Sequence, residues 1–222
     1  MFDKVVCLNI DKRWAHREPL AAEAAKRNLK VEFFLAGDGK TLPPENYDHL
    51  DIEPPAMRFG YPAWVKRPNS YNAFLCFRKI ITQAQHDKCE SLLLLEDDAT
   101  FCPEFDPIFP LAQAQLPADW DLFYLGANHA FARPIPFSDN LLRLTGGSLC
   151  FHAVALRHTI FQRILDLPMY GPIDDMVAKR LQAHVNTYAC WPNIIWPMAG
   201  FSYCEGTNVS YDHYKDKKSQ GS

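Results

Sequence analysis

The sequence predicts an α/β fold, a mostly parallel central sheet flanked by helices. Three observations carry this expectation. Short apolar runs alternate along the chain with helix-like segments, several of the runs end in glycine, and one of them, Leu92-Leu93-Leu94-Leu95, stops abruptly in Glu96-Asp97-Asp98. Parallel strands covered on both faces are near-continuous apolar runs, and ligands of open α/β sheets bind beyond the carboxyl ends of the strands.

In chain order, Val5 to Ile10 reads as a first buried strand, followed by a helical segment through Leu20 to Leu29 rich in Ala, Glu, Lys and Arg. Val31 to Ala36 is a second strand. It ends in Gly37-Asp38-Gly39, where glycine permits a tight turn and a close approach of backbone to ligand. From Lys40 to Pro68 the spacing is irregular, with Pro43-Pro44 and Pro54-Pro55, and a loop of that length is usually functional. Ser70 is placed to cap a helix whose Phe74, Phe77, Ile81 and Ala84 share one face. The acid-tipped strand comes next, then Trp120 to Gly126 as a further strand ending in glycine. Gly146-Gly147-Ser148 leads into Leu149-Cys150-Phe151, with backbone expected close to a substrate. Thr159 to Leu167 reads as a helix stopped by Pro168, and Asp174-Asp175 opens another through Leu181.

The acidic strand end carries the chemistry. Three adjacent carboxylates raise one another's pKa unless a cation offsets their field. A hard divalent cation, Mg²⁺ or Mn²⁺, prefers oxygen ligands and commonly takes one or two carboxylates together with substrate phosphates, so a metal-bound phosphate ester is the ligand expected there. The competing account is a solvated strand end in which Asp98 caps a turn.

With 222 residues, 48% of them hydrophobic, the chain suffices for one sizeable core. We expect a single domain over 1–214 and a disordered polar tail over 215–222. A net charge of −3 without a clustered basic stripe argues against a nucleic-acid surface. Seven scattered cysteines without a CxxC pair read as reduced thiols, and no apolar stretch is long enough for a transmembrane segment. With no secretory leader before the first strand, the expected compartment is cytoplasmic.

Taken in order, Leu8-Asn9-Ile10-Asp11 with Arg13 and Arg17, Ala36-Gly37-Asp38-Gly39-Lys40, Leu95-Glu96-Asp97-Asp98 and Gly147-Ser148-Leu149-Cys150-Phe151 resemble glycosyltransferase family 25, which includes lipooligosaccharide and collagen galactosyltransferases. The resemblance implies a GT-A fold: a Rossmann-like sheet with an Asp-x-Asp-type metal site that holds a nucleotide-sugar diphosphate. It further implies an enzyme, a metal-dependent hexosyltransferase moving galactose or glucose, with inversion, from a donor expected to be UDP-linked to a glycan or other hydroxyl-bearing acceptor. In that scheme Asp98 coordinates Mn²⁺ or Mg²⁺, Asp97 shares the site or supports the turn, and Glu96 lies toward the donor ribose. Asn9, Asp11, Gly37 and Asp38 fit a nucleotide slot. Arg13 and Arg17, four residues apart, would share one helix face and meet the diphosphate, with a solvated helix start as the alternative. Asp174 or Asp175 matches the position of the general base, with helix capping as the alternative for either. His213 is a candidate further metal ligand. Trp64, Trp191, Trp196, Tyr203 and Tyr211 are candidate acceptor contacts, since sugars stack on aromatic faces, with a place in the core as the alternative for most of them.

The segment Ser70 to Arg78 departs from the family's usual signature at the helix before the metal strand. Two other readings stand beside the transferase. One is a nucleotide-sugar-binding protein without turnover. The other is a haloacid-dehalogenase-like phosphatase, in which Glu96 would occupy the nucleophile position.

Overall fold

The computed structural model describes residues 2–37, 68–129, 131, 133–169, 171–204 and 206–211. Its centre is an eight-stranded sheet in the order β2-β1-β3-β8-β5-β9-β7-β6. The strands are β1 Lys4–Ile10, β2 Val31–Ala36, β3 Ser91–Glu96, β5 Leu122–Tyr124, β6 Ile135–Ser138, β7 Leu141–Arg143, β8 Ala153–Arg157 and β9 Thr187–Cys190. Two small antiparallel pairs lie outside the sheet: β4 (Ala99–Phe101) with β10 (Ile195–Pro197), and β11 (Gly200–Ser202) with β12 (Thr207–Val209). From the pairings, β2, β1, β3, β5, β9 and β6 run one way while β8 and β7 run against them. The expected mostly parallel α/β sheet is present, with one reversed strand, β8, wedged into its centre.

The leucine run shows why β3 is central. Leu92 and Leu94 point into one core cluster and Leu93 and Leu95 into the other, all four with no exposed surface. Alternate side chains of a strand leave on opposite faces, so an unbroken apolar run is what a doubly covered strand requires. Helices α2 (Pro68–His86), α4 (His158–Leu165) and α5 (Ile173–Arg180) cover the first face through Phe74, Phe77, Ile160, Phe161 and Val177. The second face is covered by α1 (Arg17–Ala25) and α3 (Phe105–Gln115) through Leu20, Ala24, Phe105 and Phe109. Each fully buried leucine contributes roughly 1.5–3 kcal/mol by transfer from water.

Element ends differ from the sequence reading in three instructive places. The first helix stops at Ala25, because Asn28 takes a left-handed φ of 57° and the Leu29 N–H returns to the Ala24 carbonyl at 3.0 Å, which closes the helix and sends Leu29 into the core. Ser70 does not cap its helix. It is buried inside α2, whose first described residue is Pro68, a side chain suited to the opening turn because it has no N–H to satisfy. Gly146 and Gly147 adopt φ of 121° and 76°, and their loop packs on α5, with the Gly147 N–H facing the Ala178 carbonyl at 3.4 Å. A side chain at either would be strained, so these glycines are explained by turn conformation.

All seven cysteines are free thiols. Among the described residues, no helix is long and apolar enough to cross a membrane. The expected tail at 215–222 lies outside the described residues.

Candidate functional site

The register of β1 on β3 pairs Leu8 with Glu96, which brings the next residues, Asn9 and Ile10, alongside Asp97. Asp97 is buried and fully engaged. Its Oδ2 accepts from Asn9 Nδ2 at 2.9 Å and from the Ile10 N–H at 3.0 Å, and its Oδ1 accepts from Arg13 Nη1 at 2.9 Å. These three bonds fit the turn-supporting role expected for it, and Asp97 also borders the first cavity described below, with a single donor on Oδ1.

Arg13 is the cation that the acidic strand end calls for. Its guanidinium also stands 3.7 Å from Asp98 Oδ2, donates to the Phe201 carbonyl and lies 5.3 Å from the centre of the Tyr203 ring. The residue breaks helical geometry at φ −111°, ψ 27°, within the 3-10 segment Asp11–His16, so Arg13 and Arg17 do not share a continuous helix face. Arg17 instead donates to Asn9 Oδ1 and lies 5.9 Å from the Phe33 ring centre. Both guanidiniums turn inward onto protein partners.

Asp98 and Glu96 behave differently from Asp97. Among the described residues, Asp98 Oδ1 is buried without a hydrogen-bond partner. Burial, and then the Asp97 charge, push the Asp98 carboxyl up to about 6 against the opposing pull of Arg13. Glu96 is raised well above the usual carboxylate range, first by burial and then by Asp98, Asp174 and Asp97. Protein packs densely around both carboxyls, although each keeps some surface open to a cavity.

Two cavities meet at these side chains. The first, about 60 Å³, lies past the ends of β1 and β2 and is lined by Leu8, Ile10, Arg13, Ala36, Gly37, Asn69 and Asn72. The second, about 300 Å³, extends toward β8 and α5 and is lined by Phe77, Asn128, Cys150, Phe151, Asp174 and Tyr211 among others. Glu96 and Asp98 line both, as do Ala73, Ser202 and Cys204. The two carboxylates therefore form part of a shared wall, at the carboxyl end of the central strand.

The pair at the start of α5 divides its labour. Asp175 is buried and bound to Lys179 Nζ, 2.6 Å from Oδ1 and 2.7 Å from Oδ2. Asp174 faces the second cavity; its Oδ2 accepts the Cys150 N–H at 3.0 Å and its Oδ1 accepts the Asp175 N–H at 2.9 Å. Burial raises the Asp174 carboxyl, and those two N–H donors hold part of that rise back by stabilising the ionised form. Cys150 reaches this position with a left-handed φ of 82°, unusual for a residue with a side chain.

The other expected residues fall as follows. Asp11 is exposed on the 3-10 segment and lines neither cavity. Gly37 borders the first cavity, and a methyl group there would meet no atom of the described residues within 4 Å. Tyr203 lines the first cavity and Tyr211 the second. Trp191 and Trp196 are partly buried against the two core clusters and line neither cavity. Asp38, Trp64 and His213 lie outside the described residues.

The donor chemistry fits a hard cation carried by few protein oxygens. Asp98 offers an uncommitted, buried carboxylate oxygen, with Glu96 beside it and a cavity in front. Among the described residues, no group of three or more His, Cys, Asp or Glu side chains is arranged to hold a metal ion. Such a site suits Mg²⁺ or Mn²⁺ completed by phosphate and water rather than a closed protein cage.

Sequence reasoning missed His16, whose Nδ1 is 3.1 Å from the Asp97 carbonyl, and the amides of α2. Asn69 donates to the Tyr203 carbonyl at 3.1 Å and Asn72 to the Gly37 carbonyl at 2.6 Å, which ties the β11–β12 hairpin and the end of β2 across the first cavity. Two amides one turn apart at the start of an amphipathic helix were the available signal.

No family model matches the chain. Its curated relatives carry the family name anticipated from the motifs. The chain is 27% identical over 131 residues to procollagen galactosyltransferase 2 of Homo sapiens, covering 56% of this chain and 21% of that protein. It is 24% identical over 178 residues to a glycosyltransferase 25 family member of Drosophila melanogaster, covering 79% of this chain and 29% of the relative. The chain thus spans less than a third of the length of these relatives. Among solved structures, a glycosyltransferase involved in glycosylation of the major capsid of PBCV-1 aligns over 96% of this chain and 98% of its own, with 11% identity and a TM-score of 0.47. Mouse xyloside xylosyltransferase 1 aligns over 78% of each chain, with 10% identity and a TM-score of 0.38.

Proposed function

We propose that this chain is a glycosyltransferase that moves a hexose from a UDP-linked donor to an acceptor hydroxyl with inversion. The observation that carries this reading is the shared wall. Glu96 and Asp98 border two adjoining cavities, and a further carboxylate, Asp174, stands only in the second. The reading places the donor diphosphate at the Glu96–Asp98 wall beside the first cavity, whose volume of about 60 Å³ holds only part of a nucleotide, and the acceptor in the second.

In the transfer, the acceptor oxygen attacks the anomeric carbon from the side opposite the diphosphate. The carbon–oxygen bond to phosphate breaks with its electron pair leaving on the diphosphate, and the hydroxyl proton passes to Asp174. Each Asp174 oxygen accepts one N–H and keeps a second lone pair for that proton. Asp175 is unsuited to the same role because it is buried against Lys179 and lines neither cavity. A divalent cation held at Asp98, with Glu96 beside it, would act as a Lewis acid toward the charge developing on the departing phosphate. Arg13 pairs more closely with Asp97 than with Asp98, and Asp98 borders both cavities, which favours Asp98 as the acid that would hold the cation. The named family members among the relatives support a sugar donor and an acceptor as partners of the site.

The experiment is a thermal-shift panel of UDP- and GDP-sugars with and without Mn²⁺, followed by release of nucleotide from the sugar that shifts the melt. A ligand that binds only the folded state raises apparent stability. A manganese-dependent shift with slow nucleotide release is the expected result. A shift without release would indicate binding without turnover, and phosphate release from an aryl phosphate would indicate the phosphatase. No shift across the panel would remove the transferase.

A further inference from the structure

Gln182 lines neither cavity, yet its side chain is the hub of a buried network that ends on Asp174. It has no exposed surface and follows α5 directly, in the 3-10 segment Gln182–His184. Its amide is fully used. Oε1 accepts the Ser148 N–H at 3.1 Å, while Nε2 donates to the Ser148 carbonyl at 2.7 Å and to the Tyr124 hydroxyl at 3.0 Å. An amide side chain that holds both main-chain groups of one residue does the work of a neighbouring strand, and it leaves that residue no freedom to rotate.

Ser148 is the start of a short rigid path. The next residue, Leu149, exchanges both main-chain hydrogen bonds with Asn128 at 2.7 and 3.0 Å. With residues 148 and 149 fixed, the plane of the following peptide is fixed, and that peptide carries the Cys150 N–H. Cys150 is held at φ 82°, a left-handed conformation that is strained for a residue with a side chain. Strain of this kind persists when surrounding contacts over-determine it, and here the contact obtained is the 3.0 Å hydrogen bond to Asp174 Oδ2.

We infer that Gln182 is a positioning residue for the transfer: by clamping Ser148 it aims the Cys150 N–H at Asp174 and so holds that carboxylate toward the second cavity. The inference rests on the reading of Asp174 as the base. A misplacement of a reacting group by about 1 Å lowers turnover by about 10²-fold. Gln182→Met keeps the length of the side chain and removes every hydrogen bond it makes. Tyr124→Phe is milder and removes a single partner of the amide.

Two measurements test it on the full chain. The first is exchange of the Cys150 amide proton. Gln182→Met should speed it at least about tenfold, since a hydrogen bond opened locally loses its protection. Tyr124→Phe should move it less, in the same direction. The second is UDP release from UDP-galactose with Mn²⁺, where Gln182→Met should lower kcat by about 10- to 100-fold with donor KM within about twofold. A role confined to fold stability would lower the melting temperature and leave the Cys150 amide and kcat of the folded fraction unchanged, and that result overturns the inference. Asp174→Asn separates the two claims. If it retains kcat, the base assignment fails; if it abolishes kcat while Gln182→Met does not lower it, the positioning role fails and the base assignment stands. The exchange measurement needs no donor, so an unaltered Cys150 amide in a folded Gln182→Met overturns the positioning role whatever the donor proves to be.

Discussion

Arg13 Nη1 stands 2.9 Å from Asp97 Oδ1 and 3.7 Å from Asp98 Oδ2, so the chain itself supplies a cation at the end of its leucine strand. The two acids are thereby made unequal. Asp97, with three donors, is a structural fixture joining β1 to β3, whereas Asp98 has a buried Oδ1 without a hydrogen-bond partner among the described residues and borders both cavities.

Arg13→Gln is expected to destabilise the protein by about 3 kcal/mol, because removing one partner leaves a buried charge uncompensated. Asp97 keeps its bonds to Asn9 and Ile10, which places the loss at the low end of the range for such pairs. The hairpin over residues 200–209 should also become a site of proteolysis, since Arg13 ties it down through the Phe201 carbonyl and the Tyr203 ring. A urea midpoint equal to that of the unmodified protein would show that the ion pair is not holding the turn.

Asp98 titrates in the opposite sense from a salt-bridged surface acid. Its carboxyl sits at about 6 in the folded chain against 3.8 ordinarily, so between roughly pH 4 and 6 the folded state keeps a proton that the unfolded state has released. Stability must then fall as pH rises through that window. A displacement of this size corresponds to roughly 2–3 kcal/mol. Asp98→Asn is therefore expected to melt several degrees higher than the unmodified protein at pH 7.5, to lose that advantage at pH 4, and to show no manganese-dependent shift with UDP-sugars. Equal melting temperatures across the pH range would contradict the burial of this charge.

Much of this was legible in the sequence where the signal was local. Four consecutive leucines in so short a run read as a doubly covered strand, and the acids beyond them fall where α/β sheets bind ligands. What could not be read was partnership across distance. Asn9 and Asp97 are 88 positions apart, and their contact depends on the β1–β3 register, which no local pattern encodes. The same holds for Arg13: its spacing from Arg17 implied a shared helix face, but a single non-helical residue turns it inward to Asp97. Gln182 gave no signal, since a glutamine after a helix looks like surface until Ser148 and Tyr124 are brought to it.

The adjacent acids of α5 should separate cleanly. Asp174→Asn is expected to lower kcat by about 10²- to 10⁴-fold, the usual contribution of a general base, while donor affinity stays near that of the unmodified protein. Asp175→Asn should instead cost about 1–3 kcal/mol of stability, because it weakens a buried pair with Lys179 and removes no group from the cavity. Paired kinetics and thermal melts of the two variants decide the assignment, and a reversed pattern would transfer the base to Asp175.

Two glycines at strand ends give the sharpest structural contrast. A methyl group on Gly126 would lie 2.0 Å from the Ile195 carbonyl oxygen and 2.7 Å from His152 Nε2, both fixed parts of the core. His152 in turn receives the Glu96 N–H on its own carbonyl at 3.0 Å, so movement there reaches the shared wall of the cavities. Gly126→Ala should thus cost about 3 kcal/mol or more through overpacking against backbone. Gly37→Ala meets open space and should leave stability within about 0.5 kcal/mol while narrowing the first cavity. Its effect should appear only as a weaker thermal shift with UDP-sugars. If Gly37→Ala binds the donor unchanged and Gly126→Ala melts normally, then neither strand end is packed against the site as described.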